Sequence, residues 1–205
     1  MSAASRIRPF RPGDEPALAE ICLRTADGGG DATGIFEDDA IWAHIWVLPY
    51  VERHPDLAFL VEDEDEDEDG TVTGYVVATP DTDAFERWFH DEWWPRHAHR
   101  WPKPEREITR QDATLLYAYS RGEKTERYAE EFPAHLHIDL LPQAQGKGAG
   151  RRLIETLFHA LRERSVPGLH LVASAGNTDA MAFYTRLGLA PLPSSPGSRA
   201  YGVKL

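Results

Sequence analysis

Residues 141–153 of the chain have the sequence LPQAQGKGAGRRL, which places three glycines, Gly146, Gly148 and Gly150, within five positions. The stretch joins a segment of alternating apolar residues to a segment with helical periodicity. Each glycine inside regular structure costs roughly 0.5–1 kcal/mol, so three of them at this junction indicate that a ligand approaches the backbone closely. The first N–H groups of a helix have no intrahelical partner and lie at the positive end of the helix dipole. The junction therefore predicts an anion-binding site.

The segments on either side of the glycines predict a strand followed by a helix. Residues 134–140 alternate between apolar and polar side chains, and Pro142 ends the strand. The apolar face consists of Leu136, Ile138 and Leu140. The polar face, which we expect to lie outward, consists of His135, His137 and Asp139. The helix predicted from Gly148 has a buried stripe made of Leu153, Ile154, Leu157, Phe158 and Leu161.

The remaining sequence predicts further strands and helices. Strands are expected at Ile7–Phe10, Leu57–Val61, Thr71–Ala78, Leu169–Ala173 and Tyr201–Leu205. Helices are expected from Asp14, around Ile41–Trp46, from Asp83 to Pro95, around Thr114–Tyr119 and over Thr178–Leu187, with Gly188 as the terminator. Residues 95–107 predict an irregular excursion, and the acidic run Glu62–Asp69 predicts a solvated hairpin tip.

Length and composition favour one domain over residues 1–205. The single Cys22 excludes an internal disulfide framework and favours a reducing compartment. The N-terminus lacks the apolar core of a secretory signal, and no window approaches the ~18 apolar residues of a membrane span, so we expect a cytoplasmic protein without membrane contact. The formal charge of −12 argues against a nucleic-acid partner, because binding phosphates requires a basic surface.

Three known phosphate-binding patterns can be compared with the glycine loop. A Walker loop needs Ser or Thr after its lysine, whereas Lys147 is followed by Gly148. A dinucleotide fingerprint needs a third glycine at its sixth position, which counted from Gly146 is Arg151. The spacing Gln145-x-x-Gly148-x-Gly150 resembles instead the Q/R-x-x-G-x-G/A loop with which the GNAT superfamily of N-acetyltransferases grips the pyrophosphate of coenzyme A.

Two further stretches resemble the same superfamily. Residues 177–188, NTDAMAFYTRLG, resemble its N-x-x-A-x-x-x-Y helix, with Asn177 and Tyr184 at the first and last marked positions. Residues 7–14, IRPFRPGD, resemble its first strand and turn. We also expect structural roles here, with Asn177 as an N-cap and Phe183 and Tyr184 as a core pair.

Most of the chain also resembles the acetyltransferase-like C-terminal domain of animal O-GlcNAcases, as a stand-alone bacterial-type homologue. The stretches concerned are residues 21–31 (ICLRTADGGGD), Pro49–Tyr50, 57–62 (LAFLVE), Gly74–Tyr75 and Phe132–Pro133. The resemblance does not extend to a glycosidase domain, so sugar hydrolysis is not implied. The animal domain is regarded as a pseudo-acetyltransferase without a proper coenzyme loop, whereas the loop here is intact.

The resemblance implies an α/β (α+β) GNAT fold, with a central mixed, mostly antiparallel twisted sheet flanked by helices on both faces. It implies acetyl-CoA as co-substrate and no metal. The expected coenzyme-binding residues are Leu140, Leu141, Gln145, Gly146, Lys147, Gly148, Ala149, Gly150, Arg151, Asn177, Phe183 and Tyr184.

The implied chemistry is direct attack of an amine, from a small molecule or a protein lysine, on the acetyl thioester. Pantetheine would lie along the Asp139–Leu141 backbone, with a strand N–H near Leu140 serving the thioester oxygen. Tyr184 is the expected acid for the leaving thiolate. A base or a water chain must deprotonate the amine. The base is expected on the strand face formed by His135, His137 and Asp139, with His137 and Asp139 as the candidates.

Two alternatives stay open at the level of sequence. His135 and His137 could be two ligands of a metal site, although no third ligand is specified. The chain could also be a non-catalytic acetyl-CoA-binding or protein-interaction module, with the tryptophan-rich segment Trp88–Trp101 as a partner surface. The intact loop and Tyr184 favour the enzyme.

Overall fold

The computed structural model of the chain describes residues 5–63 and 70–205. Within these ranges the strands are β1 (Ser5–Pro9), β2 (Ala58–Asp63), β3 (Thr71–Thr79), β4 (Ala134–Leu140), β5 (Gly168–Ser174), β6 (Ala190–Leu192) and β7 (Ser198–Lys204). The α-helices are α1 (Glu15–Thr25), α2 (Ala40–Trp46), α3 (Leu48–Arg53), α4 (Thr82–Trp88), α5 (Trp94–His97), α6 (Arg110–Ser120), α7 (Ala149–Glu163) and α8 (Thr178–Arg186). None of the described helices combines the length and apolar character needed to cross a membrane.

The strands form one mixed sheet in the order β1-β2-β3-β4-β5-β7-β6. Neighbouring strands are antiparallel except β4 and β5, which run parallel. The mixed, mostly antiparallel sheet expected from the resemblance is therefore confirmed. The short strand β6 is an addition that the sequence did not predict.

Helices cover both faces of the sheet and give it two cores. One core lies beneath α1–α6 and includes Leu18, Ile41 and Tyr75. The other lies beneath α7 and α8 and includes Val76 and Leu153. Tyr75 and Val76 are adjacent in β3 but enter opposite cores, because successive side chains of a strand point to opposite faces.

The helix α7 follows the glycine loop as predicted. The five apolar residues of its predicted stripe are all buried, at 7% exposure or less. Full burial of one such side chain contributes roughly 1.5–3 kcal/mol, so the stripe fixes α7 firmly against β2 and β3. The start of α7 is held with it, since Ala149 is 1% exposed.

The polar face of β4 does not lie outward as expected. Asp139 lies opposite Tyr75, and His137 opposite Val77, which places this face against the core beneath α1–α6. His135 is 8% exposed, and His137 and Asp139 are half-buried. The prediction failed because helices inserted between β1 and β2, and between β3 and β4, pack over this face.

The parallel strands β4 and β5 separate along their length. They pair only at Ala134 with Leu169 and at His135 with His170. β4 nevertheless continues to Leu140, and β5 to Ser174. The edge of β4 beyond His135 is therefore open on the β5 side within the described residues, and a cleft lies between the two strands.

The aromatic segment after β3 differs from the predicted helix. Asp81 caps α4 in place of Asp83, because its carboxylate accepts a hydrogen bond from the Ala84 N–H at 3.0 Å. A π-helical turn, Phe89–Trp93, then leads directly into α5, which contains Pro95. Proline is tolerated in the first turn of a helix, where its missing N–H is not needed. The prediction that Pro95 ends the helix was wrong.

The tryptophans of this segment are core residues. Trp88, Trp93, Trp94 and Trp101 are 6%, 4%, 3% and 4% exposed. Their rings pack against one another, with the ring centroids of Trp94 and Trp101 5.8 Å apart in a stacked arrangement. The partner surface that the sequence left open for this segment is therefore not available.

The acidic run begins in the sheet rather than in solvent. Glu62 is 6% exposed and accepts hydrogen bonds from the Nε atoms of Arg6 and Arg8, each at 2.6 Å. Arg8 also donates to both carboxylate oxygens of Asp14, at 2.7 and 2.8 Å, and the Asp14 side chain does not cap α1. The prediction of a solvated turn was wrong for Glu62, and its continuation over residues 64–69 lies outside the described residues.

Candidate active site

A cavity of about 630 Å³ opens where β4 ends, between the glycine loop and α8. It brings together these sequence-predicted residues: Asp139, Leu140, Gln145, Gly146, Gly148, Gly150, Arg151, Asn177, Phe183 and Tyr184. Leu141, Lys147 and Ala149, also expected to bind the coenzyme, do not line it. Its volume is within the range usual for small-molecule and cofactor sites, about 300–1,000 Å³.

Two of the loop glycines leave the backbone bare. Gly146 and Gly148 have φ of +74° and +81°, a region in which other residues are strained. A Cβ at either position would meet no atom within 4 Å, so a ligand has open access to the loop. Gly150 serves packing instead, since a Cβ there would lie 3.1 Å from the Cζ atom of Phe183.

The end of β4 carries backbone groups that face the cavity. The Leu141 N–H donates to the Thr73 carbonyl of the neighbouring strand at 2.9 Å, so it points away from the cavity. Backbone groups alternate between the two edges of an antiparallel strand, so those of Ile138 and Leu140 point to the open edge. The backbone role expected for Leu141 therefore falls to its neighbour Leu140.

The polar side chains of the loop have separate positions. Gln145 donates from Nε2 to the Leu140 carbonyl at 2.9 Å and so holds the loop against the strand. Arg151 lines the cavity, and its guanidinium also lies 3.4 Å from the Arg186 carbonyl. Lys147 is exposed outside the lining. The loop thus offers bare backbone and one arginine, the donors that an anionic ligand requires.

The helix α8 closes the other side of the cavity. Asn177 caps it, accepting a hydrogen bond from the Ala180 N–H at 3.1 Å, as expected. Tyr184 is 8% exposed and belongs to the core beneath α7 and α8. Burial, with the charge of Asp139, raises the pKa of Tyr184, so its hydroxyl stays protonated near neutral pH.

A second cavity, of about 310 Å³, lies in the gap between β4 and β5. Its walls include Leu136–Asp139 of β4, residues 171–174 of β5, and Trp42 and Trp46 of α2. The two cavities share eight lining residues, among them Ile138, Asp139 and Tyr184. Two ligands, one entering from each side, would meet at these residues.

Asp139 is a half-buried residue at this meeting point. The Tyr75 hydroxyl donates a hydrogen bond to its Oδ2 atom at 2.5 Å. Burial raises the pKa of Asp139, and the hydrogen bond from Tyr75 only partly opposes this. The carboxyl group therefore holds a proton more readily than an exposed aspartate.

The two histidines of β4 are joined by a tyrosine. The Tyr50 hydroxyl lies 2.6 Å from Nε2 of His135 and 3.1 Å from Nε2 of His137. Burial, with the charge of Arg121, lowers the pKa of His137 to about 3, and burial lowers the pKa of His135 well below its usual value. Across residues 5–63 and 70–205, no group of three or more His, Cys, Asp or Glu side chains could hold a metal ion.

The sequence did not reveal the third wall of the site. Thr25, Gly28 and Gly29, at and after the end of α1, line both cavities. In the sequence these glycines belong only to the stretch 21–31 that resembles the O-GlcNAcase domain, and the resemblance gives them no role in a site. A Cβ on Gly29 would lie 3.3 Å from Nδ2 of Asn177, a contact between distant parts of the chain that no local pattern reports.

Comparison with known proteins gives consistent results. The sequence model of the acetyltransferase (GNAT) family matches residues 29–189. The chain is 23% identical over 185 residues to the protein O-GlcNAcase of Rattus norvegicus, covering 89% of this chain and 20% of that protein. It is 50% identical over 54 residues to the mycothiol acetyltransferase of Nocardia farcinica, covering 26% of this chain and 18% of that protein. The chain thus spans about a fifth of the length of these relatives.

Among solved structures, the crystal structure of SsHAT resembles the chain throughout. The TM-score is 0.91 at 35% sequence identity, covering 98% of each chain. The overall fold of the chain is therefore one that this solved protein shares.

Proposed function

The chain belongs to the acetyltransferase (GNAT) family, and from that premise we propose that it transfers the acetyl group of acetyl-CoA to a primary amine. The observation that carries the proposal is the meeting of two cavities at Asp139 and Tyr184. A thioester held in one cavity and an amine held in the other would come together beside the half-buried carboxyl group of Asp139 and the protonated phenol of Tyr184. Direct transfer requires such an arrangement, because the nitrogen must reach the thioester carbon.

The larger cavity supports coenzyme binding. The bare backbone at Gly146 and Gly148, the start of α7 and the Arg151 side chain offer hydrogen-bond donors to a pyrophosphate. The open edge of β4 at Ile138 and Leu140 offers backbone pairing to the amides of the pantetheine arm, as it would to an added strand. The Leu140 N–H is then the donor for the thioester oxygen as negative charge develops on it.

The smaller cavity supports binding of the acceptor. Trp42 and Trp46 give it aromatic walls, and Asp139 lines it where it meets the larger cavity. Aromatic faces and a carboxylate attract a cationic amine before it loses its proton. At about 310 Å³ the cavity suits a small amine or the side chain of a lysine.

Asp139 is the base that we favour over His137. A base works best when its pKa lies near the working pH. Burial moves the pKa of Asp139 upward, toward that range, whereas burial and the Arg121 charge lower the pKa of His137 to about 3, away from it. Tyr184 is the acid that protonates the departing thiolate.

The alternative is a module that binds acetyl-CoA without transferring the acetyl group. Such a module would use the larger cavity alone. It would have no use for the second cavity, which Asp139 also lines, and we therefore favour the enzyme.

Thiol release from acetyl-CoA tests the proposal. Free thiol is followed with a panel of primary amines and lysine-containing peptides, and the products are weighed by mass spectrometry. We expect amine-dependent release of coenzyme A and the gain of one acetyl group by the acceptor. Tight binding of acetyl-CoA without transfer to any member of the panel would favour the binding module.

A further inference from the structure

A chain of hydrogen bonds runs from α4 to the acceptor cavity. The Thr82 hydroxyl lies 2.8 Å from Nδ1 of His135 and 2.6 Å from the Pro133 carbonyl oxygen. The Tyr50 hydroxyl bridges the Nε2 atoms of His135 and His137, at 2.6 and 3.1 Å. His137 lines the acceptor cavity.

The distances fix the direction in which protons lie along this chain. Two oxygens 2.6 Å apart need a proton between them, and the Pro133 carbonyl has none, so the Thr82 hydroxyl proton lies on that contact. Thr82 must then accept a hydrogen bond from Nδ1–H of His135. Neutral His135 has its lone pair on Nε2, and that lone pair accepts the Tyr50 hydroxyl proton.

The next bond follows from the same rule. The single Tyr50 proton is used on the shorter contact, to His135 at 2.6 Å, so its oxygen accepts from His137 at 3.1 Å. His137 therefore carries its proton on Nε2. Among the described residues no protein group makes a hydrogen bond to Nδ1 of His137. This Nδ1 is also absent from the fully buried polar atoms that lack a partner, so it is not sealed from solvent.

We propose that His137 presents an unprotonated Nδ1 to the acceptor cavity and there accepts a hydrogen bond from the attacking amine, with Tyr50, His135 and Thr82 as the residues that position it. The hydrogen bond from the amine rests on the proposed function, whereas the tautomer of His137 does not. When one N–H of the amine donates to Nδ1, the lone pair of the amine nitrogen points away from His137, toward the thioester in the adjoining cavity. Asp139 remains the group that takes the proton.

The groups around His137 keep it in this state. The Arg121 guanidinium acts on it through space, and Arg121 is itself paired with Glu86 at 2.6 and 2.7 Å. The Trp46 ring meets it edge-on, with the ring centroids 5.4 Å apart. Asp139 and Tyr184 line the cavity beside it. Since burial and Arg121 lower the pKa of His137 to about 3, the ring is neutral from about pH 5 upward and always offers an acceptor.

Nitrogen NMR of the intact, ¹⁵N-histidine-labelled protein tests the tautomer directly. Protonated and unprotonated imidazole nitrogens have well-separated shifts, and a His137→Gln variant identifies the signals of His137. We expect Nε2 protonated and Nδ1 unprotonated between pH 6 and 8, and loss of this single tautomer in Tyr50→Phe. A protonated Nδ1 in the wild-type protein would overturn the proposal, whatever the enzyme's activity.

Kinetics on Thr82 test the positioning role away from the cavity. Thr82→Ser keeps the hydroxyl and Thr82→Val removes it at similar size. We expect the serine variant to match the wild type, and the valine variant to raise KM for the amine about fivefold, as for one neutral hydrogen bond, with coenzyme affinity unchanged. Equal amine KM in the two variants would contradict the positioning role. Wild-type protein with the expected tautomer but no transfer to any amine would instead refute the proposed function and its amine contact.

Discussion

Tyr184 borders both cavities, and its hydroxyl is protonated because burial and the Asp139 charge raise its pKa. Tyr184→Phe keeps the ring and removes the proton that the leaving thiolate would take. General acid assistance is worth roughly 10²–10⁴ in rate. We expect turnover to fall at least ~10-fold, while coenzyme affinity stays within a few-fold.

Tyr201 offers a matched control for this substitution. Its ring lies 5.7 Å from that of Tyr184, it is 7% exposed, and it lines neither cavity. Tyr201→Phe should leave turnover unchanged. An equal loss in both variants, or none in Tyr184→Phe, would remove the general-acid role.

Asp139 gives a prediction that depends on pH. Burial raises its pKa in the folded protein, so the folded state holds its proton more tightly than the unfolded chain does. This contribution to stability is present below the unfolded pKa of about 3.9 and is lost as pH rises through the folded pKa. Above the folded pKa the ionised carboxylate therefore costs stability, which Asp139→Asn relieves.

We expect Asp139→Asn to lose at least ~100-fold in turnover while its Tm at pH 7 equals or exceeds that of the wild type. Its advantage in Tm should shrink at pH 4. Activity assays and thermal unfolding at the two pH values check this. Near wild-type turnover would exclude Asp139 as the base.

At the scale of elements, β1, β2 and α1 are joined by one ionic group. Glu62 binds both Arg6 and Arg8, and Arg8 continues to Asp14 just before α1. Burial alone would raise the pKa of Glu62, but the hydrogen bonds from Arg8 and Arg6 outweigh it and lower the pKa. The stability it contributes is therefore present above its unfolded pKa and lost as pH falls.

Glu62→Gln should lower the free energy of unfolding by about 1–3 kcal/mol, because hydrogen bonds to a charged group are lost. Asp63→Asn, one residue along, should change it by less than ~0.5 kcal/mol, since Asp63 is half-exposed. Urea unfolding at pH 7 measures both. Equal free energies of unfolding for the two variants would indicate that Glu62 is solvated and would contradict this role.

At the scale of the whole molecule, a buried ion pair joins the helices over the polar face of β4. Arg121 follows α6 and binds Glu86 of α4 through two bonds, at 2.6 and 2.7 Å. Its third contact is the Ile45 carbonyl of α2, at 2.8 Å. Arg121 and Glu86 are 3% and 5% exposed, so each charge depends on the other.

Arg121→Leu should destabilise the fold by about 3–5 kcal/mol, because it leaves Glu86 buried without a partner. Arg121→Leu with Glu86→Leu should recover much of the loss, since replacing a buried pair by apolar residues is often nearly neutral. Urea unfolding of the single and double variants gives the coupling. A double variant less stable than the single one would contradict the account.

Local patterns predicted most of this molecule. The stripe of α7, the alternation in β4 and the cap at Asn177 are written in neighbouring residues, and the structure has them where they were expected. The parts that sequence missed depend on distant contacts. Glu62 looks solvated until Arg8 is placed beside it, and the polar face of β4 looks exposed until α1–α6 cover it. Pro95 was predicted to end a helix, but the π-helical turn before it places Pro95 in the first turn of α5.

The site follows the same division. The glycine loop and α8 were visible as motifs, whereas Tyr50, Tyr75 and Thr82 join the site only through the fold. Tyr50 of α3 bridges His135 and His137 of β4, and the spacing of neighbouring residues in the sequence cannot predict such a contact between two elements.

The most direct measurement is a calorimetric titration of coenzyme A into three proteins. Gly148→Asp puts a side chain and a negative charge on the glycine loop. Gly13→Asp is the control: it makes the same change in the turn after β1, at the opposite end of the sheet, where φ is also positive and a Cβ would meet no atom within 4 Å. We expect Gly148→Asp to bind at least ~2 kcal/mol, or about 30-fold, more weakly than the wild type. Gly13→Asp should bind like the wild type. Equal affinity of the wild type and Gly148→Asp would contradict the assignment of the loop and cleft to acetyl-CoA.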